Sequence, residues 1–235
     1  MSTINADAAV EPAAARPSAR PAYGIAAGAA LALFVLTFGT WAPESPEVGQ
    51  AGAAEIRAWA SEAASTLQMN AFAGALGLVA LIVLTGALAR LARRFLPESS
   101  LREAILLGGG LLVAINAVVT GLPLLWVLSD VSSLSDTVVQ TWYSLSWFGQ
   151  MLGEISIVAQ SVLLAAFSIA ALRGRIIGRW ISWLGIVLAA TGLISVVGLV
   201  VPSTVFDTAW LAALYGWTLW LLLVSIVLGI RRLRG

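Results

Sequence analysis

Apolar and polar positions along the chain fall into six long apolar blocks separated by short polar turns. The blocks are Ala22–Trp41, Asn70–Ala89, Ala104–Leu128, Trp142–Leu172, Trp180–Val201 and Thr208–Ile230, and the only charge inside any of them is Glu154. Each reaches the roughly 20 residues that a helix needs to cross a bilayer core about 30 Å thick. A spanning strand would need only about 9–11 residues with period-two alternation, and no such alternation occurs. The pattern therefore predicts an all-α polytopic membrane protein, six transmembrane helices in a bundle.

The arginines orient this bundle. Arg16 and Arg20 precede the first block, and Arg90, Arg93, Arg94 and Arg102 lie between the second and third. Arg173, Arg175 and Arg179 separate the fourth and fifth, and Arg231, Arg232 and Arg234 follow the sixth. All these positions fall on one side of a six-span arrangement. The other side keeps Arg57 alone, among Glu44, Glu47, Glu55, Glu62, Asp130, Asp136 and Asp207. Basic loops stay cytoplasmic, so both termini are expected inside the cell. Trp41, Trp126, Trp142 and Trp210 at outer block ends, and Trp180 and Trp183 at an inner one, suit interfacial belts. Trp147, Trp217 and Trp220 lie deeper, where their indole N–H groups need partners.

Two segments lie outside the blocks. Residues 1–21, rich in Ala and Pro without an apolar period, are expected to form a disordered cytoplasmic tail. The rival reading is a signal peptide cut after Ala42; the length of the following block favours an anchor. Between the first two blocks, Ile56, Trp59, Ala60, Ala63 and Leu67 recur at helical spacing, predicting an outer amphipathic helix over 52–68. It could lie on the membrane surface or pack onto the protein's own spans, the latter being favoured.

Composition then narrows the chemistry. The 235 residues are 60% hydrophobic and 11% charged, with no Cys, His or Lys, and the mean hydropathy is +0.94. Without these side chains there is no haem imidazole, His-bound zinc, disulfide relay, Schiff base or His-assisted nucleophile. No Asp lies inside a block to build a carboxylate dyad, and Glu98 and Glu103 are the only acids in the expected cytoplasmic loops. The expectation is a non-enzymatic protein without cofactors or metal. The 13 basic residues balance 12 acidic ones, so nucleic acid is not an expected partner.

Glu154 is the most informative single residue. A carboxylate within a span costs a few kcal/mol and generally faces a bundle interior or wet cavity. Ser146, Gln150, Glu154, Ser161 and Ser168 share one helical face. Either this face handles a proton or cation, or Glu154 is a protonated packing group bonded across helices. On the third block Asn116 and Thr120 sit one turn apart before Pro123, which breaks the helix and frees carbonyls. A broken-helix binding site competes there with an interhelical Asn hydrogen bond, which is favoured. Gly108, Gly109 and Gly110 are expected to loosen the inner end of that block. Small-residue ladders at Gly24, Gly28 and Ala32, and at Gly185 and Ala189, predict close helix packing within the bundle or, less favoured, between copies.

Four segments carry a family resemblance: AAEIRAW (53–59), ALARLARRFLPES (87–99), ALRGRIIGRWISWLGIVLAATGL (171–193) and LWLLLVSIVLGIRRLRG (219–235). From Tyr23 to Gly235 the chain resembles a large bacterial family of small six-to-seven-span integral membrane proteins with a domain of unknown function. That resemblance implies a fold and no mechanism. Lysine-free, Ala- and Arg-rich usage points to a bacterium of high GC content and hence to its plasma (inner) membrane. The function expected is a subunit, scaffold or regulator whose partners are the lipid bilayer and a second copy or another membrane subunit. The alternative is a small proton- or cation-linked transporter using Gln150 and Glu154 opposite Asn116 and Thr120.

Overall fold

A computed structural model describes residues 19–38, 44–201 and 203–234. The expected N-terminal tail up to Ser18, Arg16, the belt position Trp41 and the cut after Ala42 lie outside the described residues. Helices α1 (Arg20–Phe38), α2 (Ala53–Phe95), α3 (Leu101–Gly121), α4 (Leu124–Leu128), α5 (Asp136–Gly174), α6 (Arg179–Ser195) and α7 (Thr204–Arg234) make up the bundle. Single 3₁₀ turns occupy Val131–Ser133 and Val196–Leu199. Six helices are long and apolar enough to span a membrane, α3 and α4 together forming one of them. Among the described residues there is no strand.

The spans close into a ring. Each packs on its neighbour in the order α1, α2, α3, α5, α6, α7, and α7 returns to α1, while α2 and α5 also touch across the middle. Leu84, Leu88, Ile105, Leu163, Phe167 and Trp220 are fully buried in the core. Apolar side chains such as Phe72, Val79, Leu107 and Val187 point outward, as spans in contact with lipid require. The ring places the described arginines other than Arg57 at one end, which we call the arginine-rich end. There Arg231 Nη1 donates to the Arg175 carbonyl at 2.9 Å, and Arg175 ends α5 in the left-handed conformation (φ 51°), a usual helix stop.

Two helices overrun the expected boundaries. The outer amphipathic segment and the second span are one uninterrupted helix of 43 residues, roughly 64 Å long at 1.5 Å per residue. Hydropathy divides it near Asn70, but hydropathy reports burial in lipid and not helical continuity. Likewise α5 begins at Asp136, where the Ser135 side chain caps the Val138 N–H, rather than at Trp142. The overrunning ends and the first 3₁₀ turn, with α4 at the end of the third span, build a cap. Ile56, Ala60, Ala63 and Leu67 are buried there against Trp126, Val139 and Tyr143, so the amphipathic stripe does pack onto the protein itself.

Aromatic edges and a few polar bonds fix the cap. Trp59 meets Trp126 and Tyr143 edge-on, with ring centres 6.1 and 5.7 Å apart, and Trp142 packs edge-on against Trp126 at 6.0 Å. Trp126 is 2% exposed, so it is a core residue of the cap and not a belt residue at the lipid surface. Its Nε1 donates to Ser146 Oγ at 2.9 Å. The Tyr143 hydroxyl donates to the Pro46 carbonyl. Arg57, the one arginine on the acidic side, donates to the Leu134 carbonyl and to Asp136 Oδ1, both at 2.7 Å, which joins α2 to the start of α5.

Glycines govern the closest approaches. A Cβ on Gly108 would lie 2.8 Å from the Leu163 backbone nitrogen, and one on Gly109 would lie 2.3 Å from the Thr85 side chain. These two residues therefore tighten α3 against α5 and α2 instead of loosening it; Gly110 faces open space. Gly185 holds off Ser168 and Trp220 in the same way, and Ala189 is buried, as the second ladder predicts. The first ladder is a different matter. The packed face of α1 is Tyr23, Ala26, Ala27 and Ala30, Gly24 accommodates the Arg232 stem, and Gly28 is exposed with nothing near it. Ser225 Oγ completes this contact by donating to the Ala27 carbonyl at 2.9 Å.

Candidate functional site

The polar residues singled out within the spans divide between two clefts. α5 lies between them, because successive residues of a helix point about 100° apart and its neighbours differ on each side. The first cleft, about 290 Å³, lies between α5, the end of α6, the second 3₁₀ turn and α7. Glu154 lines it together with Ser195, Phe206, Asp207 and Trp210. Asp207 comes from the first turn of α7, so two carboxylates face one cavity at the acidic end. Glu154 is exposed at the edge of the bundle. Ser195 Oγ already donates to the Gly192 carbonyl at 2.8 Å.

The second cleft, about 300 Å³, occupies the inside of the ring in the half nearer the cap. Asn116 and Thr120 from α3, Ser156 and Gln160 from α5, Thr37 from α1 and Trp217 from α7 line it. Gly77 of α2 and Gly153 of α5 leave the room, while Gly74 accommodates the Thr120 side chain. Asn116 Nδ2 donates to the Leu112 carbonyl one turn back at 2.9 Å, and among the described residues it makes no bond across helices, contrary to expectation. Ser156 donates to the Gly153 carbonyl at 2.5 Å. Gln160 is 8% exposed and has no hydrogen-bond partner among the described residues.

Glu154 and the Asn116–Thr120 pair therefore do not face each other. Gln150 is exposed on the bundle surface and lines neither cleft. Ser146 serves Trp126 in the cap. Ser161 is buried against Gly192, whose added Cβ would sit 2.4 Å from its Oγ, and Ser168 is sealed beside Gly185 and Trp220 with its hydroxyl unpartnered. The shared helical face breaks up because its members meet different neighbouring helices. Pro123 does break the third span, capping α4, but its own side chain lines neither cleft. Of the deeper tryptophans, Trp217 stacks on Trp220 at 5.6 Å, and the Trp147 and Trp220 N–H groups lack acceptors.

Gln160 and Ser156 were not evident from charge or from the Ser146–Glu154 stripe. The signal was present as Gly153, Ser156 and Gln160 at spacings of three and four, a small and polar face on one side of α5. Asp207 was evident only as an outer acid, since nothing local says that α7 starts beside Glu154. Among the described residues no group of three or more acids gathers to hold a metal ion. No family model, no curated protein and no solved structure matches this chain.

Proposed function

We propose that the chain is a non-enzymatic integral membrane module of a bacterial plasma membrane, a subunit, scaffold or regulator that acts by binding. The observation that carries this reading is the sealed part of the ring between Gln160 and the arginine-rich end. Beyond Gln160 the inner face of α5 is occupied by Leu163, Leu164, Phe167 and Ala170, each at most 1% exposed. Ser161 and Ser168, the polar residues on that stretch of the face, are closed in by α6 glycines. A cap with an aromatic core and two clefts in the same half of the bundle suits a protein that presents surfaces. The arginine distribution supports cytoplasmic termini, and the segment resemblances support a bacterial multi-span family.

Native mass spectrometry of the protein released gently from its own membrane tests this. A further subunit or a fixed oligomer is the expected result. A bare monomer together with ion flux in proteoliposomes that Glu154→Gln abolishes would overturn it. One observation favours that second reading, a proton- or cation-linked transporter: Glu154 and Asp207 line one cleft at the acidic end.

A further inference from the structure

We infer that the cleft inside the ring is a binding site for an uncharged amphiphile with a hydroxyl- and ester-bearing head, of the monoacylglycerol type. The first ground is Gln160. Its side chain is buried, lines the cavity and has no partner among the described residues. Its amide is not among the side-chain atoms sealed without a partner and opens on the cavity, with two donors and an acceptor unspent for a ligand. Asn116 uses one N–H on its own helix and leaves its carbonyl oxygen for the cleft. Thr120 adds a hydroxyl at the same mouth.

The second ground is what the lining lacks. Among the described residues no charged side chain lines this cavity, so an anionic phosphate head or a cation would enter without a counter-charge, at a high desolvation cost in the membrane. A hydroxyl can donate to the Gln160 or Asn116 carbonyl oxygen, and an ester carbonyl can accept from the Gln160 amide. Leucines such as Leu33, Leu81 and Leu214, with the Trp217 ring, supply the apolar wall for the first part of an acyl chain. At about 300 Å³ the volume sits at the lower end for small-molecule sites, which combine apolar walls with a few placed polar groups. The room comes from glycines: a Cβ on Gly77 would meet nothing within 4 Å. This inference is independent of the proposed role, since a module with a partner subunit can hold its cleft empty.

The test uses the full chain in nanodiscs of phosphatidylethanolamine and phosphatidylglycerol, with a monoacylglycerol carrying a photoreactive diazirine in its acyl chain. Labelling of α3, α5 or α7 residues that line the cleft, competed by unlabelled monoacylglycerol, is expected. Gln160→Leu should weaken the apparent affinity about tenfold, the effect of one lost buried hydrogen bond. Gly77→Leu should abolish cleft labelling by filling the cavity, and leucine favours the helix over glycine. A phosphatidylglycerol probe should label outward-facing residues only. Labelling confined to outward-facing residues, or cleft labelling unchanged by both variants, would overturn the inference and leave a cavity holding water. Should Gln160→Leu fail to assemble, Gly77→Leu decides alone.

Discussion

Neighbouring glycines on α3 are expected to respond to the same substitution with opposite sign. In Gly108→Ala the new methyl would lie 2.8 Å from the Leu163 backbone nitrogen and 3.1 Å from the Ala159 carbonyl oxygen. The shortfall from the 3.4 Å of ordinary contact is about 0.6 Å. Both obstacles are backbone, so no side chain can rotate away, and α3 must back off α5 along the contact. Overpacking of this kind costs about 1–3 kcal/mol. In a bilayer the loss is felt directly, because close van der Waals packing drives helix association there. Alanine for glycine inside a helix returns about 0.5–1 kcal/mol. Gly108→Ala should therefore destabilise by up to about 2.5 kcal/mol. Gly110→Ala meets nothing within 4 Å and should stabilise by up to about 1 kcal/mol. The helix-propensity gain is common to both variants, so the difference between them isolates the clash at about 1–3 kcal/mol. Unfolding in mixed micelles by titration with sodium dodecyl sulfate, followed by tryptophan fluorescence, measures both. Equal stabilities for the two variants would refute the close approach of α3 to α5.

Other consequences can be read with equally simple measurements. Ser146→Ala leaves the Trp126 N–H, 2% exposed with its residue, without an acceptor, and should cost about 1–3 kcal/mol in the same titration; an unchanged midpoint would mean that the bond is not made. Hydrogen bonds from the Ser132 hydroxyl and N–H hold the Asp130 carboxyl below its ordinary value of 3.8. Its stabilising effect is then present above that value and is lost as pH falls through the lower folded one. A carboxyl NMR titration should show this depressed midpoint, and Ser132→Ala should move it upward. The cysteine-free chain permits a direct topology test: an impermeant maleimide should label Thr137→Cys in intact cells, and Ser100→Cys only after permeabilisation. The reverse pattern would invert the bundle.

Much of the bundle could be read before any coordinates, for a physical reason: a lipid-spanning helix must be both long and apolar, and those two requirements leave a mark in the chain. The ends of α2 and α5 were less legible. Helix continuity across a membrane surface changes the polarity of side chains but not the backbone, so Met69 and Asn70 mark a boundary in environment within an unbroken helix. The candidate site was legible residue by residue but not as an assembly. Periodicity places Glu154 and Ser161 on one face of α5, yet only the ring order decides that Glu154 meets α7 and Ser161 meets α6. Gln160 is not legible in the chain because a neutral amide gives no charge signal; its interest comes from lining a cavity without a partner, which is a property of the fold. Arg57 read as an exception to the charge rule, and its two bonds to the start of α5 account for the placement.

The unbroken α2 has a mechanical consequence. It carries the cap at one end and Arg90, Arg93 and Arg94 at the other, with no break from Ala53 to Phe95. Over roughly 64 Å, a tilt of about 5° about its middle would displace each tip by about 3 Å, the two in opposite directions. The cap and the arginine-rich end are thus two arms of one lever whose fulcrum is the packing of α2 on α1, α3 and α5. A load placed on the aromatic core of the cap is borne across the bilayer as torque on that contact.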